Sequence, residues 1–132
     1  MLLGTSWIIL EWTMSKAGEF VLTLMHAATN AHILHLQTRS FAQHMALGEF
    51  YEALPGLADS LAEAIQGAEG EILKYPFDYY QPADTPLEEL EQLKDYVEQE
   101  RTGVSSRSEI QNIIDEIAAL IDSTLYKLRF LA

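Results

Sequence analysis

The chain is 132 residues long, 48% hydrophobic and 21% charged, a composition that fits one folded domain and excludes a disordered tail. With 20 acidic against 8 basic side chains the formal charge is -12, which repels phosphate backbones and anionic bilayers, so neither nucleic acid nor membrane is an expected partner. There is no cysteine, hence no disulfide, thiolate metal ligand or cysteine nucleophile, and the expected compartment is the cytoplasm.

In chain order, residues 1–13 read as an apolar N-terminal extension, because Met14-Ser15-Lys16 has the form of a translation start. The run Met1 to Leu10 lacks a basic flank and is interrupted by Glu11, so neither a signal peptide nor a bilayer span is expected there. Leu2, Leu3, Trp7, Ile8, Ile9 and Trp12 then need a surface to bury against, a second subunit being one.

Residues 14–132 read as one domain of four helices. The spacing of Phe20, Leu24, Ala27, Ala31 and Leu34 predicts a first helix over roughly 17–37. A polar turn, Gln37-Thr38-Arg39-Ser40, leads to a second helix with Leu47, Phe50, Tyr51, Leu54, Leu57, Leu61, Ile65, Ala68 and Ile72 on its stripe. Pro55 is expected to bend it without ending it, since the stripe resumes in phase. The segment from Tyr75 to Asp84 reads as an ordered loop. Thr85-Pro86-Leu87-Glu88 is a helix start with a Thr cap and Pro at the first position. The third helix carries Leu87, Leu90, Leu93 and Val97 and stops at Gly103. Ser106 to Glu109 reads as a second capping box, and Ile110, Ile113, Ile114, Ile117, Leu120, Ile121, Thr124, Leu125 and Leu128 form the apolar face of the fourth. Met25 and Met45 read as core fillers, and Asp115, Glu116 and Asp122 as a solvated side.

The expected architecture is therefore all-α, a four-helix bundle. Short turns make the first and last helix pairs antiparallel. The loop between the second and third helices, about a dozen residues, can reach roughly 40 Å. The third helix is only about 24 Å long. A long crossover, the ferritin-like arrangement, is thus within reach.

All four histidines, His26, His32, His35 and His44, lie between residues 26 and 44. His26 points away from the apolar stripe and is expected to be exposed. His35 and His44 border the stripes of their helices, with His32 one turn back. Asp59 and Glu63, four apart, share a helix face. Two imidazoles and two carboxylates suit Fe(II), Mn(II) or Zn(II). Their place at the stripe edges favours a site shared with a neighbouring subunit. No Glu-x-x-His occurs, which argues against a di-iron centre inside one bundle. No third close histidine supports a zinc hydrolase. The plainer reading makes the carboxylates a solvated face and the imidazoles caps of the turn.

His35-Leu36, Phe41, His44, Phe50, Ala53-Leu54, Asp59 and Ala62-Glu63 resemble the mini-ferritins, the DNA-binding proteins from starved cells, over roughly residues 20–70. Those proteins carry a histidine, an aspartate fifteen residues on and a glutamate four beyond, the spacing kept by His44, Asp59 and Glu63. The resemblance implies an iron site in which one subunit supplies the histidines and its two-fold mate the carboxylates, oxidising Fe(II) within a shell. The chain departs from the pattern in four ways. Gly48 stands where the family has an acid, with Glu49 beside it; Leu36 replaces a tryptophan; the histidines lie three residues closer together unless His32 takes the place of His35; and no lysine-rich tail is present. The run from His32 to Tyr51 is also similar to small ferritin-like proteins encoded by tailed phages. The expected function is iron binding, and possible ferroxidase activity, in a homodimer or larger homo-oligomer. His35, His44, Asp59 and Glu63 would be the ligands, with His32 and Glu49 in support. The alternative is a non-catalytic helical structural or interaction protein of phage type.

Overall fold

A computed structural model describes the backbone of residues 2–132, with the side chains of residue 9 and of residues 11–132. Four helices make up the fold: α1 (Leu2–Gln37), α2 (Phe41–Glu69), α3 (Pro86–Val104) and α4 (Ser108–Phe130). No strand occurs among the described residues. The protein is an all-α four-helix bundle.

Each apolar stripe read from the sequence faces one core. Phe20, Leu24, Ala27, Ala31 and Leu34 of α1 are buried against Leu47, Phe50, Leu54, Leu61 and Ile65 of α2, Leu90, Leu93 and Val97 of α3, and Ile110, Ile114, Ile117, Ile121, Leu125 and Leu128 of α4. The first helix begins much earlier than residue 17. Nothing in residues 2–16 breaks a helix, and Met14, Ala17 and Val21 are buried in continuation of the core stripe. Ile9 and Trp12 are exposed. The expectation that Leu2, Leu3, Trp7 and Ile8 bury themselves lies outside the described side chains.

The turn is compact. Ser40 caps α2 by accepting from the Gln43 amide, and Thr38 donates its hydroxyl to Gln43. Helix α2 continues through Pro55 and ends at Gly70, whose left-handed φ of 68° closes the helix onto Gln66. The stripe therefore stops before Ile72, which is exposed. Thr85 caps α3 as its sequence predicts. The second predicted capping box does not form: Arg107 occupies the cap of α4 without a side-chain bond, and Ser105 instead accepts from the Arg107 amide. Met25 and Met45 are exposed, not core fillers.

Pairings between helices give their directions. His35 meets His44, so α1 and α2 are antiparallel. Residues 70–85 then run along α1: Lys74 sits beside Glu11 and Gly18, whereas Tyr79 and Tyr80 reach Asn30. Twelve residues of α1, roughly 18 Å, separate Gly18 from Asn30, so the connection returns along the bundle. Helix α3 therefore starts at the turn end and descends, pairing Tyr96 with Thr23 and Lys16 with Glu100. Helix α4 rises beside α2 and α3, as Arg107–Glu69, Lys127–Glu49, Lys94–Asp122 and Arg129–Glu91 record. The order is up-down-down-up, with α1 flanked by α2 and α3, and α4 completing the square. The crossover also explains His26. It is half-buried, not free in solvent, because Tyr79 and Tyr80 cover it at ring-centroid distances of 5.0 and 5.9 Å.

Candidate functional site

The turn between α1 and α2 brings three of the four histidines together. The rings of His35 and His44 stack with centroids 3.7 Å apart and planes 18° apart. His35 Nδ1 lies 2.6 Å from the carbonyl oxygen of His44, and His44 Nδ1 lies 2.9 Å from the carbonyl oxygen of His35. A carbonyl only accepts, so each Nδ1 carries the hydrogen. In the neutral ring each Nε2 then bears a free lone pair, the tautomer that a metal-ligating histidine needs. The bond from His44 also satisfies one of the last carbonyls of α1, which has no partner within the helix. The imidazoles therefore do cap the turn, as the plainer reading expects, but through one nitrogen each.

Two further features hold the pair. His32 is exposed and stacks on Tyr51 at 4.0 Å, with Tyr51 in turn edge-on to His35 at 5.1 Å. Gly48 supplies the space. A Cβ there would lie 3.2 Å from His35 Cε1 and 3.4 Å from its Nδ1. The glycine at position 48 thus has a physical reason: the His35 ring rests on bare backbone where a side chain would stand. Glu49, next along, points elsewhere and pairs with Lys127.

Asp59 and Glu63 are exposed and lie far from this cluster within the chain. Fifteen residues of α2 separate His44 from Asp59, roughly 22 Å along the axis. One protomer therefore cannot bring the imidazoles and these carboxylates to a common point. Accordingly, no group of three or more His, Asp or Glu side chains able to hold a metal occurs among the described residues. Large apolar side chains next to the pair in sequence are open to solvent: Leu36 is 71%, Phe41 77% and Met45 48% exposed.

Sequence reasoning missed two features. Tyr51 reads as a core residue, yet its ring is half-buried and serves as the platform for His32. Glu89, one residue past the predicted helix start and part of no motif, is buried, its carboxylate accepting from the Ala83 amide at 2.8 Å. Its spacing, four before Leu93 and eight before Val97, places it on the core stripe and was the available signal.

Among known proteins, the chain is similar to an uncharacterized 14.6 kDa protein from the mobD–ri intergenic region of Enterobacteria phage T4. The two are 28% identical over 115 residues, which cover 86% of this chain and 88% of the phage protein. No solved structure matches the chain. No helix among the described residues is long and apolar enough to cross a membrane. The model of a family of unknown function, DUF5856, matches residues 35–128, from His35 to the last turn of α4, and the chain belongs to that family.

Proposed function

We propose that the protein is an iron-binding, ferritin-like homo-oligomer whose metal site spans a two-fold contact. His35 and His44 of one subunit provide Nε2 ligands, and Asp59 and Glu63 of the partner subunit provide carboxylates. The observation that carries this reading is the hydrogen bonding of the histidine pair: both Nδ1 atoms are committed to backbone carbonyls, leaving both Nε2 atoms to bind. The up-down-down-up order of the helices and the spacing of His44, Asp59 and Glu63 support it. The exposed Leu36, Phe41 and Met45 beside the pair are apolar surface that a second subunit would cover. The donor set, two imidazoles and two carboxylates, fits Fe(II), and hard oxygen ligands favour Fe(III), so iron held there would be poised to pass an electron to dioxygen or peroxide as the oxidant. Fe(II) is in that case substrate, and the acidic surface gathers it. His32, its ring centroid 6.0 Å from that of His35, would be the reserve ligand, and Glu49 would assist only after leaving Lys127.

A second reading is a helical structural or interaction protein without chemistry. The exposed apolar rim of the turn and the similarity to a phage protein of matching length favour it. Anaerobic Fe(II) titration of the purified protein, with elemental analysis and sedimentation, separates the two. The iron reading predicts self-association and stoichiometric iron that disappears in His44→Ala and in Glu63→Ala. Intact oligomers that take up no iron would establish the second reading instead.

A further inference from the structure

Away from the histidines, the crossover, α1 and α3 enclose a cleft of about 240 Å³ lined by Thr23, Tyr80, Glu89, Gln92, Leu93 and Tyr96. Glu89 is 3% exposed. A carboxylate so deeply buried ordinarily has a cationic partner. None is present among the described residues: no lysine or arginine lines the cleft, and Lys16, whose charge reaches Tyr96, is committed to Glu100 at 2.6 Å.

The two oxygens of Glu89 are unequally served. Oε1 accepts from the Ala83 amide at 2.8 Å. Oε2 has the Tyr80 hydroxyl at 3.5 Å, the far limit of a hydrogen bond, and that hydroxyl also stands 3.4 Å from the Thr23 carbonyl. One phenolic hydrogen serves only one of them. Glu89 Oε2 thus has only this long contact, shared with the Thr23 carbonyl, in a cleft walled by two phenol rings. Burial, and secondarily the Glu89 charge, hold the Tyr80 phenol well above the ordinary tyrosine range, and burial also raises Tyr96, so both rings stay neutral. A second cleft of about 270 Å³ shares the Thr23–Tyr80 wall and carries Glu19 and Asp78, again without a basic residue.

We propose that this cleft binds a small aliphatic ammonium ion. The ammonium donates to Glu89 Oε2, and its methylene stem lies against Leu93 and the rings of Tyr80 and Tyr96. An anion finds no positive group there. A neutral alcohol would leave the carboxylate uncompensated, and a single carboxylate with phenols is too poor in hard donors for a divalent metal. This site is independent of the histidine pair.

The test is titration with 1,4-diaminobutane, followed by NMR and calorimetry, with 1,4-butanediol as the uncharged control. The expected result is saturable binding of the diamine only, with resonance changes confined to Thr23, Tyr80, Glu89, Leu93 and Tyr96. Glu89→Gln, which keeps an acceptor for the Ala83 amide, is expected to bind about tenfold or more weakly. Glu98→Gln, which removes an equal charge from the exposed side of α3, is expected to bind as wild type does. Equal binding of the diol, undiminished binding by folded Glu89→Gln, or equal weakening by Glu98→Gln would overturn the proposal. Should Glu89→Gln not fold, the wild-type resonance map decides: changes spread over the exposed carboxylates would overturn it.

Discussion

Gly18→Ala is expected to destabilise the fold by roughly 1–3 kcal/mol, although alanine favours a helix over glycine by about 1 kcal/mol. The reason is the path of the crossover. A Cβ at position 18 would lie 1.9 Å from the Lys74 carbonyl oxygen and 2.6 Å from its carbon. Both are backbone atoms and cannot rotate aside, so α1 and the connection must separate. That loosens the neighbouring Leu73, buried in the core, and the pairing of Lys74 with Glu11. Gly67→Ala is the control. Nothing lies within 4 Å of a Cβ there, so it is expected to leave stability unchanged or raise it by up to about 1 kcal/mol. Urea unfolding of both variants measures the contrast. A Gly18→Ala protein as stable as Gly67→Ala would mean that the connection does not lie on α1.

Phe20→Ala is expected to cost more, roughly 3–5 kcal/mol. Phe20 is 1% exposed and stacks on Tyr96 with ring centroids 5.7 Å apart. Its removal opens a cavity between α1 and α3 and takes away the support of a ring that lines the ammonium cleft. Near-ultraviolet circular dichroism and thermal melting report the two consequences together. Phe20→Leu, which refills most of the volume, is expected to recover the larger part of the loss. Loss of less than about 1 kcal/mol in Phe20→Ala would contradict the packing of α3 against α1.

The helices and their inward faces were legible in the sequence because periodicity is a property of neighbours along the chain. The stripe of α4 and the Thr85 cap needed no tertiary information. The start of α1 lies before the predicted residue 17 because nothing ahead of it breaks the helix, and the form of Met14-Ser15-Lys16 carries no conformational signal. The Ser106 cap failed because Gln111, one turn into α4, anchors the turn through the carbonyls of Arg101 and Ser105, a contact between helices that local spacing does not encode. The surroundings of His26 and Glu89 were hidden for a related reason: the crossover that covers both lies 50 or more residues from His26 and folds back over Glu89 from its N-terminal side. At the candidate site, the meeting of His35 and His44 followed from the short turn between them. Which nitrogen of each ring is committed did not follow, since it depends on how far α1 and α2 approach at Gly48. The proposed convergence of Asp59 and Glu63 with the histidines would be a relation between subunits, which neither the sequence nor one protomer contains.

Subunit mixing addresses that relation directly. His44→Ala and Glu63→Ala each remove one half of every proposed site, so each protein alone is expected to bind no iron at the interface. In a dimer of one with the other, one site combines intact histidines with intact carboxylates and the second lacks both. Dissociating the two variants, mixing them in equal amounts and reassociating them is expected to restore iron binding to about one quarter of the wild-type level. Absence of any recovery, with mixed dimers demonstrably formed, would contradict a site built from the imidazoles of one subunit and the carboxylates of the other.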